Sequence, residues 1–382
     1  MKALIDDILD EIRTDMAATD WQELTDDGLY AGKLGLVYFY HILYKESGDP
    51  LYKEKIEDIL SYVLQQMGQH QSSILLRSSL MTGLTGFGYM VKLLVDEGLL
   101  DENFLEELDS INDLSLNECL LLIENKNFDF FNGSIGILFY FVTIGHQENI
   151  TLIVDKLYKE FVLNDRTFYN EAGYLEGIHL GYAHGLPAII KTLDGISGNK
   201  KSEEIILHLL GELSKLIGSS NVILADCRYY LPRSIHRDMA HQYDLNWRPV
   251  LAWSNSDLNY STLIYSIERS RLDSSFLDLA AELARGTVDR RHESQTRIWD
   301  YRFNFGSAGV AQLYLKIYKE TGDPKIYEAY QFWIKESIRL YRESGRIKEH
   351  KLNFIDNLPG LYLVLLEYKN PAIAGWDKIL LL

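Results

Sequence analysis

Two kinds of helical pattern alternate along the chain. Residues 36–43 are apolar at almost every position, which is typical of a helix enclosed by neighbours. Residues 51–60 are rich in lysine and glutamate and keep a single apolar stripe, as expected of a helix with one face in solvent. The alternation predicts inner helices that are covered by outer helices.

A short motif with small residues three positions apart precedes the apolar segments and occurs seven times. Five of the six intervals between copies are 50 to 52 residues long, and the fourth interval is 71 residues. A period of this size accommodates two helices of roughly 15 residues and two connections. The first motif residues are Gly32, Gly83, Gly133, Gly185, Ser256, Gly306 and Asn357.

Two copies show how the chain turns back after an inner helix. Gly48-Asp49-Pro50 and Gly322-Asp323-Pro324 each begin 16 residues after a motif glycine. Such a glycine ends a helix in the left-handed conformation, the aspartate caps the next helix, and proline fits its first turn. We therefore predict an all-α, single-domain protein over residues 1–382. Its seven helical hairpins form a closed α/α toroid, or barrel, with inner and outer rings of seven helices each, and the small residues let the inner helices approach closely at one end.

The long interval contains an insertion at about residues 219–249, rich in Tyr, Arg, His and Asp. We expect this segment to form a lid or rim over the mouth of the toroid, with a short strand or two within residues 221–231. His236 and His241 lie five residues apart, which is a poor spacing for metal ligands on a helix.

Composition and charge narrow the class of function. Hydrophobic residues make up 47% of the chain and charged residues 24%, as in globular proteins. The formal charge of −17 would repel a phosphate backbone, so we do not expect nucleic acid as a partner. Charged residues interrupt every apolar run before it could span a bilayer, so we expect no transmembrane segment. The acidic N-terminal residues show no secretory signal, which predicts a cytoplasmic protein.

Only two cysteines, Cys119 and Cys227, are present. Two thiols provide no disulfide framework and too few ligands for a cysteine-based metal site. Acidic residues at two motif loops, Asp257 and Asp356, are interpreted as helix caps.

Seven glycine-rich copies with a His-Gly pair in the fourth resemble the lanthionine synthetase C-like (LanC-like) family, over essentially the whole chain. The resemblance implies an α/α toroid with two rings of seven helices. In the cyclases of that family, a cysteine thiol of a peptide adds to a dehydrated Ser or Thr and closes a thioether ring. Their zinc is held by a Cys in a Trp-Cys-Tyr-Gly motif of the fifth copy and by the Cys and His of a Cys-His-Gly motif in the sixth.

The zinc ligands of the family are replaced in this chain. The fifth copy reads Trp253-Ser254-Asn255-Ser256 and the sixth reads Asn304-Phe305-Gly306. Ser and Asn are poor neutral ligands for Zn²⁺, and Phe has no donor atom. We therefore expect no metal and no other cofactor. Trp253, Ser254, Asn255, Asn304 and Phe305 are instead candidate substrate-binding residues.

Two catalytic positions of the family are retained. Asp129 lies four residues before the motif glycine of the third copy, and His184 directly precedes that of the fourth. The resemblance implies proton transfer by both, with the histidine protonating the enolate that forms when sulfur adds. Each also has an ordinary interpretation, Asp129 as a cap or turn residue and His184 as a hydrogen-bonded loop residue.

Three functions remain open from the sequence, and they leave undecided whether the protein is an enzyme. The first is modification of a ribosomally made, lanthipeptide-type precursor, by zinc-independent ring closure or by other chemistry on a dehydrated peptide. The second is a non-catalytic pseudoenzyme that binds the precursor peptide or a partner such as a dehydratase or another modification enzyme. The third is a glycosidase, since toroids of six hairpins hydrolyse sugars with two carboxylates. Seven copies and the lack of a clear carboxylate partner for Asp129 count against the third.

Overall fold

The computed structural model describes residues 2–106, 108–164, 168–171, 175–219, 221–237, 242–343 and 351–382. Fifteen α-helices make up most of this described part. They are α1 (Lys2–Ala17), α2 (Lys33–Ser47), α3 (Pro50–Gly68), α4 (Leu84–Asp96), α5 (Leu108–Glu124), α6 (Ser134–Ile144), α7 (Gln147–Tyr158), α8 (Leu186–Asp194), α9 (Lys200–Ser219), α10 (Asp257–Ser266), α11 (Ser274–Thr287), α12 (Glu293–Thr296), α13 (Ser307–Thr321), α14 (Pro324–Glu343) and α15 (Leu358–Lys369).

Fourteen of these described helices form two concentric rings. The inner ring consists of α2, α4, α6, α8, α10, α13 and α15, whose residues are mostly buried, and the outer ring consists of α1, α3, α5, α7, α9, α11 and α14. Six inner helices pack against the outer helix that follows them in the chain, whereas α15 packs against α1. The seventh hairpin therefore takes its outer helix from the start of the chain, which the repeat pattern did not predict.

Contacts between the first and last copies close the toroid. Helix α1 buries an apolar stripe with helical spacing, and Arg13 in this helix donates a hydrogen bond of 3.1 Å to the hydroxyl of Tyr362 in α15. In the loops, the backbone N–H of Ile355 donates to the carbonyl of Tyr30 at 3.5 Å. The predicted closed ring is thus formed by both ends of the chain.

Each inner helix begins one residue after the first small residue of a predicted motif, so the motif marks the helix start in all seven copies. A Cβ atom on Gly136 would lie 2.0 Å from the carbonyl oxygen of Phe130 in its own loop and 2.9 Å from the Cβ of Leu80 in the neighbouring copy. The small residues therefore permit a close approach to both loops.

A chain of backbone hydrogen bonds joins neighbouring motif loops around one end of the toroid. The participating residues occupy the same place, two residues before the first motif residue. The bonds run from Tyr30 to Met81, Met81 to Phe131, Ser254 to Asn304, Asn304 to Ile355 and Ile355 to Tyr30. Among the described residues, no such bond joins the fourth-copy loop to either neighbour. Within the part of the chain that the structure describes, the ring of loops is therefore interrupted at the fourth copy alone.

The insertion contributes four short strands. β2 (Val222–Leu224) and β3 (Cys227–Tyr229) form an antiparallel hairpin. β4 (Ser234–Arg237) pairs antiparallel with β1 (Ile178–His179) of the fourth-copy loop on one side and with β5 (Tyr243–Asn246) on the other. His241 lies outside the described residues. The insertion is thus joined to the loop that precedes α8.

A segment near residue 380 packs inside the toroid beneath the motif loops. A 3₁₀ helix, Trp376–Leu380, is largely buried, and its backbone carbonyls accept hydrogen bonds from the hydroxyl of Tyr30 and the indole of Trp253. This segment therefore supports the loops from the interior.

No described helix is both long enough and apolar enough to cross a lipid bilayer. Both cysteines are free thiols, and burial raises the pKa of the Cys119 thiol well above its usual range. Cys119 is therefore a core residue rather than a nucleophile.

Candidate functional site

A cavity of about 480 Å³ opens at the place where the ring of loops is interrupted. Its walls come from the loops before α8, α10 and α13 and from the insertion. His184 and Ser254 line this cavity, as do Asn255 and Phe305. The cavity thus collects predicted site residues from three different copies of the repeat.

His184 and Asp129 form a hydrogen-bonded pair between the fourth and third copies. Nδ1 of His184 lies 2.6 Å from Oδ2 of Asp129, and the other carboxylate oxygen accepts the backbone N–H of Asn132 at 2.6 Å. The Asp129 side chain is 0% exposed, whereas that of His184 is 26% exposed. Because a carboxylate can only accept here, Nδ1 carries a proton and Nε2 is left as the acceptor, the tautomer that a general base needs.

His179, which the sequence analysis did not single out, lies beside this pair. Its ring centroid is 6.3 Å from that of His184 and 6.5 Å from that of His236. Burial, reinforced by the neighbouring His184, lowers the pKa of His179 to about 4, and its Nε2 lies 3.1 Å from the carbonyl of Leu175. His179 is therefore neutral at physiological pH and adds no positive charge to the cavity.

Ser254, Asn304 and Phe305, the positions that the resemblance matches to zinc ligands, lie near one another. The backbone N–H of Ser254 donates to the carbonyl of Asn304 at 3.2 Å, and Phe305, which is 50% exposed, lies at the cavity wall. Ser254 Oγ and Asn304 Oδ1 are buried without a hydrogen-bond partner in the described part of the chain. These side chains do not fit Zn²⁺, since they offer one hydroxyl, one amide oxygen and no imidazole, thiolate or carboxylate.

No group of three or more His, Cys, Asp or Glu suited to a metal ion is present among the described residues. His179, His184 and His236 lie near one another but do not form such a group. His236 hydrogen-bonds Ser234 at 2.7 Å, and His184 bonds Asp129.

The other candidate residues lie around the cavity in different ways. Asn255 lines it and donates a hydrogen bond of 2.6 Å from Nδ2 to the carbonyl of Arg233 in the insertion. Trp253 is 0% exposed and packs behind the wall, with its indole N–H bonded to the carbonyl of Leu380. Trp253 is thus placed to position Ser254, and its predicted contact with substrate stays a prediction.

The interpretation of Asp257 as a helix cap is wrong. Its carboxylate accepts the backbone N–H of Leu231 at 3.0 Å and pairs with Arg290 at 2.5 Å, both partners being buried. It holds the insertion against α10 instead. The cap position of α15 is likewise occupied by Asn357 and not by Asp356, whose carboxylate bonds the side chain of Asn304 and has its pKa raised by burial.

Sequence reasoning also missed the arginines of the cavity. Arg233, Arg297 and Arg302 line it together with Trp299, which is 59% exposed. Their positions follow from the insertion and from the loop around α12, two segments outside the motif. The arginine content of the insertion was the one available signal.

Comparisons with known proteins bear on the family and the fold of the chain. The family model described as "Lanthionine synthetase C-like protein" matches residues 23–381. The solved structure of a protein described as "Nisin cyclase" is similar to the chain, with a TM-score of 0.73 and 18% sequence identity, over 99% of this chain and 96% of that one. No curated protein sequence matches the chain. The structural similarity supports the toroidal fold.

Proposed function

Since the chain belongs to the lanthionine synthetase C-like family, we propose that it modifies a dehydrated precursor peptide, closing thioether rings without zinc at the His184–Asp129 pair. The observation that carries this proposal is the pair itself, a buried carboxylate fixing a histidine that opens into the cavity.

The residues present support a proton shuttle. A free thiol has a pKa of about 8.5 and is only slightly ionised at neutral pH, so a base is needed. Nε2 of His184 removes the thiol proton, the thiolate attacks the β-carbon of the dehydrated residue, and the resulting enolate takes the same proton back at its α-carbon. No net proton is gained or lost. Asp129 stabilises the transient imidazolium without becoming protonated.

The enolate oxygen needs a hydrogen-bond donor. Ser254 lines the same cavity and has a hydroxyl without a partner among the described residues, and the N-termini of α8, α10 and α13 lie there with their positive dipole ends. General-base catalysis of this kind contributes roughly 10² to 10⁴ in rate. The reaction would therefore be slow compared with one that also activates the thiol at a metal.

The test is mass spectrometry of a dehydrated, cysteine-containing peptide incubated with chelator-treated protein, with thiol alkylation to count free cysteines. We expect alkylation to be lost with the wild type and retained with His184→Ala. His208→Ala, on the outer helix α9, is the matched control and should behave as the wild type. Ring closure that persists in His184→Ala would refute the proposal.

A non-catalytic role as a peptide- or partner-binding protein is the second candidate. It is favoured by the replacement of all three zinc-ligand positions and by the exposed rings of Trp299 and Phe305 beside the cavity. If every thiol stays free while the peptide co-elutes with the protein, this role replaces the first. A dehydratase as partner and a cytoplasmic location remain predictions.

The glycosidase alternative has no support from the site. Asp129 is bonded to His184, and among the described residues that line the cavity there is no carboxylate to form an acid–base pair.

A further inference from the structure

The cavity is basic although the protein is strongly acidic. The chain carries a formal charge of −17, yet the described residues that line the cavity include three arginines and no aspartate or glutamate. A concave site of one sign attracts ligands of the opposite sign and focuses the field. The ligand of this cavity should therefore carry negative charge.

Only one of the three arginines is neutralised. Arg302 forms an ion pair with Asp300, and two of its guanidinium nitrogens donate to Oδ2 of that carboxylate at 2.8 and 2.6 Å. Arg233 and Arg297 have no ion-pair partner in the described part of the chain. The pKa of Arg233 is lowered by burial and by the nearby guanidinium groups of Arg248 and Arg297, in agreement with a crowded and uncompensated positive site.

The side chains of Arg233 and Arg297 are exposed, whereas their backbone has a defined conformation. The N–H of Arg233 donates to the carbonyl of Asn246 at 2.9 Å, and its carbonyl accepts the amide of Asn255 at 2.6 Å. Arg297 adopts the left-handed conformation, with φ 57° and ψ 23°, at the end of α12. This conformation is strained for a residue with a side chain, and such strain is concentrated at functional sites.

We infer that the cavity binds an oxyanion carried by the substrate, with Arg233 and Arg297 as the binding pair. Guanidinium groups bind phosphate and carboxylate through paired N–H donors. Two uncompensated positive charges match a phosphate monoester dianion better than a single carboxylate, so the phosphate monoester is the class we assign. The inference rests on the proposed function in one respect, since it takes this cavity as the place where substrate binds.

The test is a thermal-shift titration with inorganic phosphate, O-phosphoserine and glutamate, at ionic strength held constant with chloride. A ligand that binds only the folded state raises the melting temperature in a saturable manner. We expect saturable shifts with phosphate and phosphoserine, and at least a tenfold weaker affinity for both in Arg233→Gln and Arg297→Gln.

Two further variants make the result specific. Arg77→Gln changes an exposed arginine at the corresponding loop of the second copy, away from the cavity, and should bind phosphate as the wild type does. Arg297→Gly removes the guanidinium and relieves the left-handed strain, so it should stay folded and still lose affinity.

Three results would overturn the inference: no shift beyond that of chloride, equal losses in Arg77→Gln and the cavity variants, or tighter binding of glutamate than of phosphoserine. Because the titration contains no peptide and the alkylation assay contains no phosphate, each can fail without the other. A loss of ring closure with phosphate binding intact would reject the proposed reaction alone.

Discussion

Replacing Asp129 with asparagine separates the role of its charge from the role of its shape. Asparagine keeps an oxygen that can accept the N–H of Asn132, so the loop should keep its conformation. Its amide nitrogen, however, would donate to Nδ1 of His184, and the ring proton would move to Nε2. The histidine would then face the cavity as a donor and could not accept the thiol proton.

The expected loss of rate in Asp129→Asn follows from the buried contact of 2.6 Å between Nδ1 of His184 and Oδ2 of Asp129. Two charges centred about 4 Å apart in a medium of effective dielectric constant about 20 interact by about 4 kcal/mol. Losing that stabilisation of the imidazolium lowers the rate by about 10³. In serine proteases, where an aspartate orients the catalytic histidine, the same substitution lowers kcat by about 10⁴.

The assay is the single-turnover rate of thiol loss, followed by alkylation and mass spectrometry, for the wild type, Asp129→Asn and His184→Ala. We expect Asp129→Asn to lose two to four orders of magnitude in rate. Its urea midpoint and its affinity for the dehydrated peptide should stay close to the wild-type values, which a purely structural role would not allow. A rate within tenfold of the wild type, with His184→Ala inactive, would refute the proposed role of the carboxylate.

Three further predictions concern stability and are measured by urea unfolding followed by circular dichroism. Gly136→Ala should lower the free energy of unfolding by at least about 2 kcal/mol, because its Cβ would lie 2.0 Å from a loop carbonyl. Gly211→Ala in α9, where a Cβ would meet nothing within 4 Å, should raise the free energy of unfolding by about 0.5–1 kcal/mol. Equal effects of the two substitutions would contradict the packing argument. Asp257→Asn should lower the free energy of unfolding by about 3 kcal/mol, because it leaves the buried charge of Arg290 unpaired. A decrease below about 1 kcal/mol would contradict this role of the ion pair. The pKa of His179 is about 4 in the folded state, below its value in the unfolded chain, so the unfolded state binds the proton first as the pH falls. The free energy of unfolding should therefore fall by up to about 3 kcal/mol between pH 6.5 and 4. His179→Gln should lose less stability than the wild type over this pH range.

The sequence predicted the toroid because one motif fixes the start of every inner helix. The residues from Gly32 to Asn357 mark all seven starts, and apolar content separates the inner helices from the outer ones. The pairing of α1 with α15 was not predictable in the same way, since it joins residues more than 340 positions apart and follows no repeat. The 3₁₀ helix at Trp376–Leu380 was missed because five residues carry no periodic pattern.

The candidate site was predicted in part. The resemblance indicated Asp129 and His184, which lie 55 residues apart in the chain. The structure places Nδ1 of His184 2.6 Å from Oδ2 of Asp129, a contact that their spacing in the sequence could not predict. The same reasoning missed His179 and the two unpaired arginines. These residues reach the cavity from the insertion and from irregular loops, where no helical or strand periodicity relates position in sequence to position in space.

The site lies where the repeat departs from its own rule. In the copies joined by backbone hydrogen bonds, the residue two positions before the motif bonds the neighbouring loops through its backbone. Asn304, for example, donates its N–H to the carbonyl of Ile355 and accepts the N–H of Ser254. The fourth copy makes no such bond among the described residues, and its link to the third copy is a side-chain contact, that of His184 with Asp129. A side-chain link can carry a proton, whereas a backbone link cannot. The interruption that opens the cavity therefore also creates the pair that gives it chemistry.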